Sequence, residues 1–236
     1  MSLSLREAEI QALRRGSVPK RYERNIGSLG KDGQARLLER RVVVVGLGGL
    51  GGHLVEMLAR LGVGRIAGID GDVFDETNLN RQVFSDMDNI GRKKAEVAQE
   101  RVARINPAVE FSPHVARFES LGEAFFKDCD LVFDCLDRIP PRLELSRRCA
   151  AARVPLIHGA IAGLCGRVAV CLPDACMMEK IYTDKTIERG IEAELGNLPM
   201  TAAAAADLMA ALALPILLGK PARPLLRLFD LSEGSL

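Results

Sequence analysis

The stretch Val42 to Gly52, VVVVGLGGLGG, sets Gly46, Gly48 and Gly51 at G-x-G-x-x-G spacing between four β-branched residues and the apolar-periodic run His53 to Leu61. A strand, tight turn and helix of this kind offer a phosphate unpaired backbone N–H groups at the positive end of the helix dipole. Only glycine lets the chain turn that sharply beside an anion. The chemistry is nucleotide binding, although the motif does not choose the nucleotide and a glycine turn serving only helix–strand packing would read the same way. Asp70 favours the nucleotide, because it ends the next apolar stretch, Arg65 to Ile69, where a ribose partner is expected; Asp72 lies beside it. Arg92, Lys93 and Lys94 fall in the first turn of an expected helix over Gly91 to Asn106, where the dipole disfavours cations unless an anion is near. Asp137 ends a short apolar strand and its acidic turn, Asp130 to Asp137. It suits a divalent cation on a triphosphate, since magnesium typically takes one or two carboxylates plus phosphate oxygens. Capping the helix that starts near Pro140 is its alternative role.

These residues need a frame of alternating strands and helices. Val42 to Val45, Arg65 to Ile69, Val109 to Val115, the run within Asp130 to Asp137, Val154 to His158 and Arg167 to Leu172 read as strands, with a linking helix expected between Val115 and Asp130. Crossovers of this length imply an α/β fold, a doubly wound, Rossmann-like, mostly parallel sheet with helices on both faces. Its ligand collects beyond the carboxyl ends of the strands. Residues 1–40 read as a helical arm, and 41–236 as one domain with a polar crossover loop at about 173–199, a terminal helix Met200 to Leu218 and a last strand Leu225 to Leu228. A chain of 236 residues is long enough for such a domain with a substantial core.

With 32 basic against 31 acidic residues, nothing argues for a nucleic-acid or anionic-membrane surface. The charged start, MSLSLREAEIQALRRG, lacks the apolar stretch of a secretory signal, so a cytoplasmic location with free thiols is expected for the six cysteines. Leu198 to Leu218 is apolar but alanine-rich and carries Asp207 and Pro215, which makes it a core helix and not a membrane span.

Together with RYERN at Arg21, G-x-x-G-Q at Gly30, G-V-G at Gly62, NLNRQ at Asn78, IGRKKAE at Ile90, INP at Ile105, DCLD at Asp134 and PLIHGA at Pro155, the glycine motif resembles the bacterial E1-like activating enzymes of the MoeB/ThiF/HesA superfamily. The likeness runs from about Arg21 to Asp230 and implies an E1-like adenylation domain. The reaction it implies is attack by the C-terminal glycine carboxylate of a small ubiquitin-like sulfur carrier, ending in Gly-Gly, on the α-phosphate of ATP. The products are an acyl-adenylate and pyrophosphate. It further implies that Gly46, Gly48, Gly49 and Gly51 line the ATP phosphates, that Asp70 holds the ribose, and that Asn78, Arg81 and Lys94 contact phosphate. Asp137 would hold Mg²⁺, and Arg24 would reach into the partner's site of a homodimer.

The sequence departs from the pattern in three places. Many relatives bind a structural zinc with two C-x-x-C pairs, whereas Cys171 and Cys176 here stand alone, so no such zinc is expected. Metal analysis finding one zinc per purified chain would contradict that. Arg138 replaces the amide usual after the acidic turn, and the segment after Pro173 is short, so no sulfur-donating extension after Asp230 is expected. Some relatives use a crossover-loop cysteine to form a thioester or acyl-disulfide; Cys176 is the one candidate, against the ordinary fate of packing in a core. Three other readings stay open: adenylation of a carboxylate on modified tRNA, an NAD-dependent oxidoreductase on the same glycine motif, and a non-catalytic binding module. Arg81, Lys94 and Asp137 together suit a triphosphate with metal better than a dinucleotide.

Overall fold

The computed structural model describes residues 3–184, 187, 188, 190 and 192–232. Helices α1 (Leu5–Arg14) and α2 (Ile26–Glu39) precede the sheet, joined by a 3₁₀ turn at Lys20–Tyr22. They are fastened by Arg6 to Glu110 at 2.9 Å and by Arg21 to Asn106 at 2.6 Å. Tyr22 is buried against the left-handed Gly62, and Asn106 donates to its hydroxyl. Arg21 and Tyr22 of the RYERN motif are thus structural, while Arg24 stays exposed.

Strand β1 (Arg41–Val45) leads into α3 (Gly49–Leu61), β2 (Arg65–Ile69), α4 (Lys94–Ile105), β3 (Glu110–His114), β4 (Leu131–Asp134), α5 (Ile139–Ala151), β5 (Leu156–Ala162) and β6 (Cys165–Cys171). Short helices α6 (Met178–Ile181) and α7 (Glu192–Leu195) then precede α8 (Pro199–Leu217) and β7 (Leu225–Asp230). The sheet order is β3-β2-β1-β4-β5-β6-β7, parallel through β5 and antiparallel at β6 and β7. The order reverses at β1, so a crevice opens beyond the carboxyl ends of β1 and β4.

The valine run explains the layering. Val42 and Val44 pack under α3, α4 and α8, while Val43 and Val45 face α5 and the segments around it. A strand buried on both faces has no polar side to show, which is why it reads as a continuous apolar run. The buried face of α8, from Thr201 to Leu217, lies along α3, β5 and β6. Among the described residues α8 is the one helix long and apolar enough to cross a bilayer.

Three local expectations fail. Between β3 and β4 the chain makes two 3₁₀ turns, Phe118–Ser120 and Glu123–Phe126, and no α-helix. Helix α4 starts at Lys94, with Lys93 as its extended cap residue and Arg92 drawn back to Glu100, so of the three cations only Lys94 is in the first turn. The cap residue of α5 is Arg138, without a side-chain bond, so Asp137 does not cap it.

Candidate functional site

The glycine turn forms the near wall of a cavity of about 640 Å³ at the carboxyl edge of β1, β2 and β4. Gly46 has φ of +88°, and a Cβ there would sit 2.7 Å from the Cys135 carbonyl oxygen. A side chain at Gly51 would meet the Gly46 carbonyl oxygen at 1.8 Å. Gly51 therefore serves the close approach of α3 to the turn and does not line the cavity, whereas Gly46, Gly48 and Gly49 do. The first amides of α3 have no partner within the helix, and they open beside these glycines.

Asp70 at the end of β2 holds the turn as well as lining the cavity. Its Oδ2 accepts from the Leu47 amide and its Oδ1 from the Asp72 amide, each at 2.8 Å. Lys94 is 9% exposed, with Nζ 3.6 Å from Asp72 Oδ2, at the cavity wall. Asp75 caps the 3₁₀ turn Glu76–Asn78, which carries the buried Asn78 to the same wall. Arg81 follows, its guanidinium donating to the Thr77 carbonyl at 3.0 Å and to Asn80 Oδ1 at 2.9 Å. Across the cavity Asp137 is exposed and has no hydrogen-bond partner among the described residues. Arg138, its neighbour, is half-buried in the lining.

The turn that bears Asp137 hangs on a buried polar ladder. Arg142, near the start of α5, donates from Nε to the Leu136 carbonyl at 3.0 Å, and Nη1 donates to the Tyr182 hydroxyl. That hydroxyl lies 3.1 Å from His158 Nε2, and His158 Nδ1 lies 2.7 Å from Asp134 Oδ2. Asp134 Oδ1 in turn accepts from the Leu136 amide at 3.0 Å. The donors can all run one way, from arginine to tyrosine to histidine to aspartate, which assigns the proton of His158 to Nδ1. Burial holds His158 below its ordinary pKa and outweighs the pull of Asp134 in the other direction, so the imidazole is neutral.

Neutral burial has a sign in pH. The unfolded chain takes up a proton on this histidine at higher pH than the folded chain does, so below about pH 6.5 the unfolded state gains protons first and folding stability falls. The expected result is a loss of stability between pH 7.5 and 5 in denaturant titrations, with a smaller loss in His158→Gln. An equal loss in both would place the pH dependence elsewhere.

The cavity therefore gathers Gly46, Gly48, Gly49, Asp70, Asp72, Asn78, Arg81, Lys94 and Asp137. It does not include Gly51, Arg24 or Cys176; Cys176 lines a separate small hollow against α5. Sequence reasoning missed Arg117 and Gln82 in the lining and the whole ladder beneath Asp137. Gln82 Oε1 is buried without a partner among the described residues, and a hydroxyl or amino donor on a ligand would complete it. The one available signal was the first acid of DCLD, since an aspartate inside an apolar strand needs a buried partner.

A model of the ThiF family matches residues 22–235. The SAMP-activating enzyme E1 of Haloferax volcanii is 40% identical over 157 residues, which cover 65% of this chain and 58% of that protein. A sulfur carrier protein adenylyltransferase of Thermus thermophilus is 35% identical over 231 residues, covering 91% of this chain and 84% of its own. Among solved structures, E. coli MccB with ATP superposes with a TM-score of 0.70 at 21% identity, over 90% of this chain and 71% of that one, which shows a shared fold. The matched segment spans less than two thirds of the Haloferax protein.

Proposed function

The chain belongs to the ThiF family, and from that premise we propose that it is an adenylyltransferase that activates the C-terminal glycine carboxylate of a small ubiquitin-like sulfur carrier with ATP. The observation that carries the reading is the convergence on one cavity of a glycine cradle, the cations Arg81 and Lys94, and the carboxylate of Asp137, which has no partner among the described residues. Two anions must meet for a carboxylate to attack an α-phosphate, so the site needs fixed positive charge where charge develops. Arg81 and Lys94 supply it. The amides of the α3 start orient the phosphates, and Asp70 presents an oxygen to the ribose while its backbone bonds keep the turn rigid.

Asp137 is the residue that would hold Mg²⁺, which when bound neutralises phosphate charge; a single carboxylate beside phosphate oxygens and water is a sufficient protein contribution. The reading includes a homodimer in which a second copy supplies Arg24. That side chain is exposed on the arm and lines no part of its own chain's cavity, as such an exchange requires. An activated carrier of this type feeds sulfur transfer in cofactor biosynthesis, and the balanced charge of the chain favours a protein tail over tRNA as the carboxylate donor.

Thermal shift separates this reading from the oxidoreductase one. ATP with Mg²⁺ should raise the melting temperature, because a ligand that binds only the folded state stabilises it by mass action, and NAD should not. A shift with NAD and none with ATP would overturn the proposal.

A further inference from the structure

Strand β6 ends at Cys171 and the chain reverses through Leu172-Pro173-Asp174-Ala175. Ala175 N donates to the Leu172 carbonyl at 3.0 Å and Leu172 N to the Ala175 carbonyl at 3.4 Å, so these two residues form a hydrogen-bonded antiparallel pair. Cys171 and Cys176 are the next pair outward, the non-hydrogen-bonded one. Facing Cα atoms there stand about 4.5 Å apart with their side chains on one face, inside the range of about 4.4–6.8 Å that a disulfide needs. Arg153 closes the turn from outside, pairing with Asp174 at 2.9 Å.

The two sulfurs differ in access. Cys171 is buried, while Cys176 is half-exposed and lines a hollow of about 140 Å³ with Leu143, Ser146, Arg147 and Ala150. Ser146 Oγ stands 2.8 Å from Cys176 Sγ. The neighbouring Cys171 thiol, together with Ser146 Oγ, holds the Cys176 thiol below its ordinary range, and the Cys176 thiol raises that of Cys171. Burial raises Cys129, Cys135 and Cys149 instead, which leaves those thiols protonated and inert.

We propose that Cys171 and Cys176 are a redox-active dithiol that reduces a small hydroperoxide, Cys176 attacking and Cys171 resolving, and that closes into a disulfide across the turn. The Cys176 thiolate attacks one peroxide oxygen; the S–O bond forms, the O–O bond breaks, and hydroxide leaves. The Cys171 thiol gives its proton to that hydroxide, forming water, and its sulfur then attacks Cys176 Sγ. The S–S bond forms as the S–O bond breaks and a second hydroxide departs. One peroxide gains two electrons and the sulfur pair loses two. The pair lies outside the nucleotide cavity, so this activity stands whatever the cavity binds.

The test oxidises the reduced full-length chain with one equivalent of hydrogen peroxide, alkylates the remaining thiols and maps the peptides. The expected result is loss of two thiols per chain, one peptide joining Cys171 to Cys176, and full reversal by dithiothreitol. Cys176→Ser should slow thiol loss about tenfold or more. Cys171→Ser should leave a sulfenic acid on Cys176 that dimedone traps. No Cys171–Cys176 peptide, first loss at the exposed Cys165, or Cys176→Ser oxidising at the rate of the unaltered chain would each overturn the proposal. The peptide map of the unaltered chain decides alone if a serine variant fails to fold.

Discussion

Asp137→Ala is expected to lower ATP–pyrophosphate exchange by about 100-fold or more while leaving the melting temperature within about 1 °C, as a surface substitution away from structural contacts does. The two halves of this expectation come from one fact: Asp137 faces the cavity and has no hydrogen-bond partner among the described residues. A side chain that holds nothing in the fold can be removed without strain. The same side chain, if it fixes a cation against the triphosphate, carries several kcal/mol of transition-state stabilisation. Asp137→Asn keeps the shape and loses the charge, so it should be nearly as inactive. Exchange at the rate of the unaltered chain in either variant would remove Asp137 from the reaction, and a large fall in stability would mean that its role is structural.

Arg142→Met is expected to destabilise the fold by about 3–5 kcal/mol, which for a domain of this size lowers the melting temperature by on the order of 10 °C. Arg142 is 5% exposed, and its guanidinium is the cation that faces the buried Asp134 through the Tyr182–His158 ladder. Methionine fills much of the same volume but leaves the Leu136 carbonyl without its donor and removes one of the two cations near the Asp134 carboxylate, Arg167 over Tyr182 remaining. Tyr182→Phe deletes one hydroxyl and should cost only about 1–3 kcal/mol. Because Arg142 holds the Leu136 carbonyl, the residue before Asp137, the arginine variant should lose exchange activity even at temperatures where it remains folded. Chemical denaturation of both variants checks the order. Equal costs for the two, or a cost below about 1 kcal/mol for Arg142→Met, would show that the ladder does not act as a unit.

The parts of this molecule that the sequence revealed are those whose physics is local. Four consecutive valines announce a strand covered on both sides, and Gly46 announces a turn that no other residue could make beside Cys135. Asp70, Lys94 and Asp137 are each legible because the end of a strand or the start of a helix places them on one edge, whereas Arg81 entered only through the resemblance. The resemblance to E1-like enzymes is what leads from a generic nucleotide site to the adenylation reading, which spacing alone would not have done.

What the sequence hid is non-local. Nothing in the order of residues says that Tyr182, in the crossover segment, meets a histidine from β5 and an arginine from α5, because that contact exists only after the sheet has closed. Gly51 misled in the opposite way: it fits the phosphate motif by spacing, yet the nearest atom to its missing side chain is a backbone oxygen of the turn. Lys93 misled because a helix start shifted by a few residues moves a cation from the first turn to the cap.

Carrier-dependent ATP–pyrophosphate exchange, run with Mg²⁺ against a panel of small proteins ending in Gly-Gly and with Asp137→Ala as control, tests the adenylation reading most directly. Exchange that requires one carrier and disappears in the control is the predicted result, and it names the substrate. Clear ATP binding with no exchange for any carrier, or exchange that survives in Asp137→Ala, would contradict it.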